Sequence, residues 1–119
     1  FFVYGTLKKG KHNNYLLRGT KYLGEAKTEP VYTLFDGGYP IVTRGGSTPI
    51  SGEVYETDDE SIIENIFSLE RCTRTQGSPK NWYDFDVIQT TFGEASIFVM
   101  NEGMSGRPIS KILNSGEWH

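Results

Sequence analysis

The chain has 119 residues, 36% of them hydrophobic and 23% charged, with a formal net charge of −3. That length and balance predict one ordered domain over residues 1–119 with a sizeable core, and argue against a disordered segment. The acidic balance gives no electrostatic case for a nucleic-acid or membrane partner, and no apolar run is long enough to cross a bilayer. Seven Phe, seven Tyr, two Trp and fourteen Gly favour a β-rich domain with many turns. The first residues do not read as a signal peptide. The single cysteine, Cys72, has no internal disulfide partner, so a reducing, cytoplasmic setting is expected.

In chain order, Phe2-Val3-Tyr4 reads as a buried strand. Gly5 is expected to bend it so that successive backbone N–H groups turn outward, forming a concavity suited to an anion or a carbonyl oxygen. His12 to Arg18 reads as a short helix or turn with Tyr15, Leu16 and Leu17 on the core. Thr20 to Phe35 reads as extended chain interrupted at Glu29-Pro30. Asp36-Gly37-Gly38 is a turn, Tyr39 to Val42 a strand, and Arg44 to Pro49 a further turn. Ile50 to Glu56 alternates. Thr57 with Glu60 has capping-box spacing and opens the clearest helix, whose apolar stripe is Ile62, Ile63, Ile66, Phe67 and Leu69. Gly77 to Asn81 is a polar loop. Trp82–Thr91 and Glu94–Asn101 read as a hairpin about Phe92-Gly93. Gly106-Arg107-Pro108 is expected to open a terminal helix, Ile109–Leu113. The class is α+β.

Glu70 is the most informative single residue. At about 100° per residue it projects near the middle of the helix's apolar stripe, and it sits in the last turn, where the dipole disfavours an anion. Both effects push a carboxyl pKa upward, toward general acid–base chemistry. The alternative is a solvated Glu70 paired with Arg71 or Arg74. Other candidates are weaker. His12 and His119 have no metal-ligand spacing with Cys72 or each other, so no metal site is expected. Cys72 reads as a packed thiol rather than a nucleophile. Phosphate-loop, dinucleotide and hydrolase-elbow motifs do not occur. Lys8, Lys9, Lys11 and Arg18 form a basic cluster that either attracts an acidic small molecule or is a solvated surface.

Four segments in order carry a resemblance. Val3-Tyr4-Gly5-Thr6-Leu7-Lys8 with Gly10, Gly38-Tyr39-Pro40, Gly52-Glu53-Val54-Tyr55 and Phe67-Ser68-Leu69-Glu70 resemble motifs of the γ-glutamylcyclotransferase-like superfamily. The nearest branch is the γ-glutamylamine cyclotransferases, and the resemblance runs to about residue 100. It implies a small closed mixed β-barrel with flanking helices and a cavity beside the end of the first strand. It also implies an intramolecular reaction that needs no cofactor. The α-amino group of a γ-glutamyl amine or peptide attacks its own γ-carbonyl, giving 5-oxoproline and the free amine. By the same resemblance Tyr4, Gly5, Thr6 and Leu7 hold the substrate, largely through backbone N–H groups. Glu70 then moves the proton, and Tyr83 lines the pocket. Two departures stand out. Cys72 to Trp82 separates the glutamate from its tyrosine like an insertion, and Phe85 stands where the family often has Arg. The alternative on the same fold is a non-catalytic module for a small carboxylate or a protein partner. Oligomeric state is not legible.

Overall fold

The computed structural model describes residues 1–36, 40–100 and 111–118. The predicted Gly37-Gly38 turn, Tyr39, Asn101, Gly106-Arg107-Pro108 and Ile109 lie outside them. The described elements are β1 (Phe2–Val3), a 3-10 helix (Asn14–Leu17), β2 (Lys21–Lys27), β3 (Tyr32–Asp36), β4 (Pro40–Arg44), β5 (Ser51–Glu56), α1 (Glu60–Leu69), β6 (Tyr83–Thr90), β7 (Gly93–Met100) and β8 (Lys111–Ile112).

β1 is only two residues long, yet it is the middle of the larger sheet, whose order is β2-β5-β1-β7-β6. It runs antiparallel to β5, with Phe2 opposite Val54, and parallel to β7, with Phe2 opposite Ile97. Side chains alternate across a strand, so neighbours enter different cores. Phe2, Val54 and Ile97 face one cluster, joined by Leu34 and Val42 of the second sheet, β4-β3-β8. Val3, Tyr55 and Phe98 face another, joined by Ile66 and Phe67 of α1 and by Leu17. Covering on both faces explains why β1 is apolar throughout rather than alternating.

The closed barrel is not found: among the described residues the two sheets share no hydrogen-bonded ladder. The reason lies at the edges. β6 turns Asp84 and Asp86 toward Arg44 of β4, and the gap is bridged by side chains instead of backbone. Arg44 Nη2 lies 2.6 Å from Asp86 Oδ1 and 3.1 Å from Asp84 Oδ2, and Tyr32 donates its hydroxyl to Asp86 at 3.0 Å. The opposite edge, β2, is bulged between Tyr22 and Gly24 and carries Lys21, Glu25 and Lys27, features that discourage further pairing.

Three local expectations also change. The helix N-cap is Asp59, whose carboxylate accepts from the Ser61 N–H at 2.9 Å. Thr57 instead closes a small turn by accepting from the Asp59 N–H at 3.0 Å, so no capping box forms. Tyr15 is exposed, because the 3-10 helix buries only Leu17. The expected terminal helix is replaced over 111–112 by β8, which pairs with Phe35 and Asp36 of β3.

Candidate active site

A cavity of about 580 Å³ opens where β1 ends, and Tyr4, Gly5, Thr6, Leu7, Glu70 and Tyr83 all line it. All six expected residues therefore meet in one place. The turn after β1 is locked from its carbonyl side. Gly5 O accepts from Lys8 N–H at 3.0 Å, Thr6 O from Asn13 N–H at 3.0 Å, and Leu7 O from Asn14 Nδ2 at 2.8 Å. The N–H groups of Gly5, Thr6 and Leu7 have no acceptor among the described residues. Such unspent donors in a fixed turn make a site for an anion or a developing oxyanion.

Gly5 is needed for closeness rather than for an unusual φ. It is not among the positive-φ glycines, but a Cβ there would strike Pro40 Cγ. Tyr4 is buried and donates its hydroxyl to the Phe98 carbonyl at 2.6 Å, so its proton is committed to the fold. Its pKa is driven well above the usual phenol value by burial. Leu7 belongs to the second core cluster as well as lining the cavity.

Glu70 is the C-cap of α1. The helix closes with a Schellman pattern, Cys72 N–H to Phe67 O at 3.0 Å and Arg71 N–H to Ser68 O at 3.1 Å. Arg71 takes the left-handed position at φ +50°. This tight ending leaves Glu70 on the cavity wall. Neither expected partner reaches it: Arg74 pairs with Glu60 and Glu64, and Arg71 lies over the Trp82 ring. Among the described residues no ion pair or hydrogen bond meets its carboxylate. Burial pushes its pKa up to about 7.

The 72–82 segment does not displace Tyr83. Its two ends are stitched together by Trp82 N–H to Arg71 O at 3.0 Å and Tyr83 N–H to Glu70 O at 3.4 Å, so the insertion loops outward. Inside it, the fully buried Asn81 accepts from Thr73 N–H at 2.6 Å and donates to Thr75 O at 3.1 Å. Asp84 accepts from Gly77 N–H at 3.0 Å. Burial pushes the Asp84 carboxyl up, but the Gly77 and Phe85 amides and Arg44 outweigh it and hold it below the usual range. Phe85 packs edge-on to Phe67, 5.4 Å between centroids, on the core side. Burial raises the Cys72 thiol to about 11, which suits packing and not attack.

The cavity also includes residues that the sequence reading did not place in the site: Asn13, Pro40, Leu69 and Trp118. Leu69 was expected on the core stripe, yet it is 38% exposed beside Glu70. The basic cluster is dispersed. Lys8 and Lys11 engage Trp118, and Lys9 lies 3.5 Å over the Tyr22 ring. No described helix is long and apolar enough to cross a membrane.

Comparison with known proteins shows the family and the fold. A family model described as "Gamma-glutamyl cyclotransferase, AIG2-like" matches residues 1–119. A Vibrio cholerae relative is 33% identical over 118 residues, covering 98% of this chain and 92% of its own length. The Escherichia coli K12 protein named "Gamma-glutamylcyclotransferase family protein YtfP" is 30% identical over 117 residues, with 98% and 93% covered. A crystal structure of an uncharacterised Pyrococcus horikoshii protein superposes with a TM-score of 0.77 at 29% identity, covering 98% of this chain and 86% of that one.

Proposed function

The chain belongs to the AIG2-like γ-glutamyl cyclotransferase family, and from that premise we propose that it cyclises a γ-glutamyl amine or peptide to 5-oxoproline without a cofactor. The observation that carries this reading is the Glu70 carboxylate: unpaired among the described residues, held near pKa 7, and sharing a cavity with the unspent N–H groups of the Gly5–Leu7 turn.

Glu70 accepts a proton from the substrate's α-ammonium, and the freed amine attacks the γ-carbonyl carbon. The turn's N–H groups receive the charge that develops on the carbonyl oxygen. As the bond to the leaving nitrogen breaks, Glu70 returns its proton there. One of the three ammonium hydrogens stays on the lactam nitrogen; the second to leave it follows the first through the freed Glu70 carboxylate, so both depart with the released amine as its ammonium ion. A carboxyl poised near neutrality suits both halves of that exchange. The ring closes within one molecule, so the protein's task is to hold the chain bent and move protons one at a time from the attacking nitrogen to the leaving one. Tyr83 and the Tyr4 ring wall the cavity, while the Tyr4 hydroxyl stays on the Phe98 carbonyl.

The test is 5-oxoproline release from a panel of γ-glutamyl amides by the purified protein and by Glu70→Gln. Product from the parent protein, reduced by about 10²-fold or more in the variant, is expected. Equal turnover by the two would overturn the role of Glu70. Ligand binding without product from any member would favour a binding module on this fold.

A further inference from the structure

The donors of the substrate turn are aimed by whatever holds the far side of their peptide planes. In a planar trans peptide the C=O and the next N–H point in opposite directions. Gly5 O on Lys8 N–H therefore fixes the direction of Thr6 N–H, and Thr6 O on Asn13 N–H fixes that of Leu7 N–H. The Leu7–Lys8 plane, which supplies the Lys8 N–H, is held in turn by Asn14 Nδ2 on Leu7 O at 2.8 Å. The following N–H, that of Lys9, donates to Glu53 Oε1 at 2.9 Å. The same oxygen accepts from the Tyr55 hydroxyl at 2.9 Å, and Asn14 Nδ2 lies 3.4 Å from that hydroxyl. A continuous path of hydrogen bonds, from Lys9 N–H through Glu53, Tyr55 and Asn14 to Leu7 O, thus closes behind the turn. Its anchor is the sheet: Glu53 stands opposite Val3 in the β1–β5 ladder, and Tyr55 is buried in the second core cluster. Asn14, Glu53 and Tyr55 are not among the residues lining the cavity.

We infer that Glu53 and Asn14, joined by the Tyr55 hydroxyl, are positioning residues that brace the Leu7–Lys9 backbone and so aim the Thr6 and Leu7 N–H groups at the developing oxyanion. This rests on the cyclisation proposed above. Glu53 acts as a double acceptor, for a backbone N–H and for a hydroxyl, so the task needs its oxygen rather than its charge. With an alanine there the Lys9 N–H turns to water and the backbone that pins Thr6 gains freedom. The oxyanion exists only on the way over the barrier, so a loosened turn costs kcat and leaves KM nearly unchanged. A residue that served stability alone would lower Tm and leave the turnover of the folded protein unaltered.

The test measures kcat and KM for 5-oxoproline release from γ-glutamyl-methylamide, γ-glutamyl-benzylamide and γ-glutamyl-glycine. It uses the parent protein, Glu53→Ala, Glu53→Gln and Asn14→Ala, each at a temperature where circular dichroism shows it folded. On the amide that the parent turns over fastest, Glu53→Ala and Asn14→Ala should each lose about tenfold or more in kcat, with KM within about threefold. Glu53→Gln keeps an acceptor oxygen at the same reach and should hold kcat within about threefold of the parent. Glu53 is half-buried on a strand, so its two variants carry the test even if Asn14→Ala fails to fold. A kcat within about threefold of the parent in Glu53→Ala, or in folded Asn14→Ala, would overturn the inference and leave the reaction standing. So would a loss carried by KM alone, or a Glu53→Gln as impaired as Glu53→Ala. No 5-oxoproline from any of the three amides with the parent would overturn both.

Discussion

Glu70 and Asp84 are both carboxylates withdrawn from water, and they sit at the two ends of the same 72–82 loop. Asp84 is surrounded by donors: Arg44, the Gly77 amide and Asn81 Nδ2. Glu70 meets none among the described residues. Their pKa shifts accordingly run in opposite directions. Burial alone therefore does not mark a reactive group. Partnering decides whether a buried acid fastens the structure or stays available for a proton.

Substitutions should separate the two roles. The largest effect falls on turnover in Glu70→Gln, about 10²-fold or more as above, with the fold intact by circular dichroism. Next in size, Asp84→Ala should cost about 3 kcal/mol by urea unfolding, or roughly 10 °C in Tm. It strips acceptors from Arg44, Gly77 and Asn81 at once. A loss under about 0.5 kcal/mol would mean the network does not hold the loop.

A smaller effect distinguishes the two acids through pH. The folded value of Glu70 lies above its unfolded one, so the native state keeps a proton that the unfolded chain releases. Its contribution to stability is present below the ordinary carboxylate range and is lost as pH rises through about 7. Gln does not titrate. Glu70→Gln should therefore gain about 2 kcal/mol at pH 8 and less than about 0.5 kcal/mol at pH 4 relative to the parent. Asp84 has the opposite sign: its contribution holds above the ordinary range and is lost as pH falls through its lowered folded value. A pH-independent difference between Glu and Gln at position 70 would contradict the environment assigned to it.

The legible parts of this molecule were those written in short-range pattern. The helical period put Glu70 on an apolar face, and it lies on the cavity wall. The hairpin strands were readable to within a residue, Tyr83–Thr90 and Gly93–Met100, whereas β8 was expected as a helix. The motif after β1 marked the turn that lines the cavity, although the reason for Gly5 is Pro40, a residue 35 positions away. Contacts that span the chain left no local trace. Lys8 and Trp118 meet across 110 positions, and nothing near either one announces the other. The open edge between the sheets belongs to the same class. Alternation shows which face of β6 is inward, but not that Asp84 and Asp86 find an arginine instead of a backbone. The helix start was misread because Thr57 and Asp59 are both good caps, and only the three-dimensional turn chooses between them.

The most direct test of the account is the pH dependence of kcat/KM for 5-oxoproline release. With Glu70 as the base that takes the ammonium proton, activity should rise with pH along a limb centred near 7, the value that burial sets for this carboxyl. A limb centred near the ordinary glutamate value of about 4.3, or the same limb retained in Glu70→Gln, would contradict it.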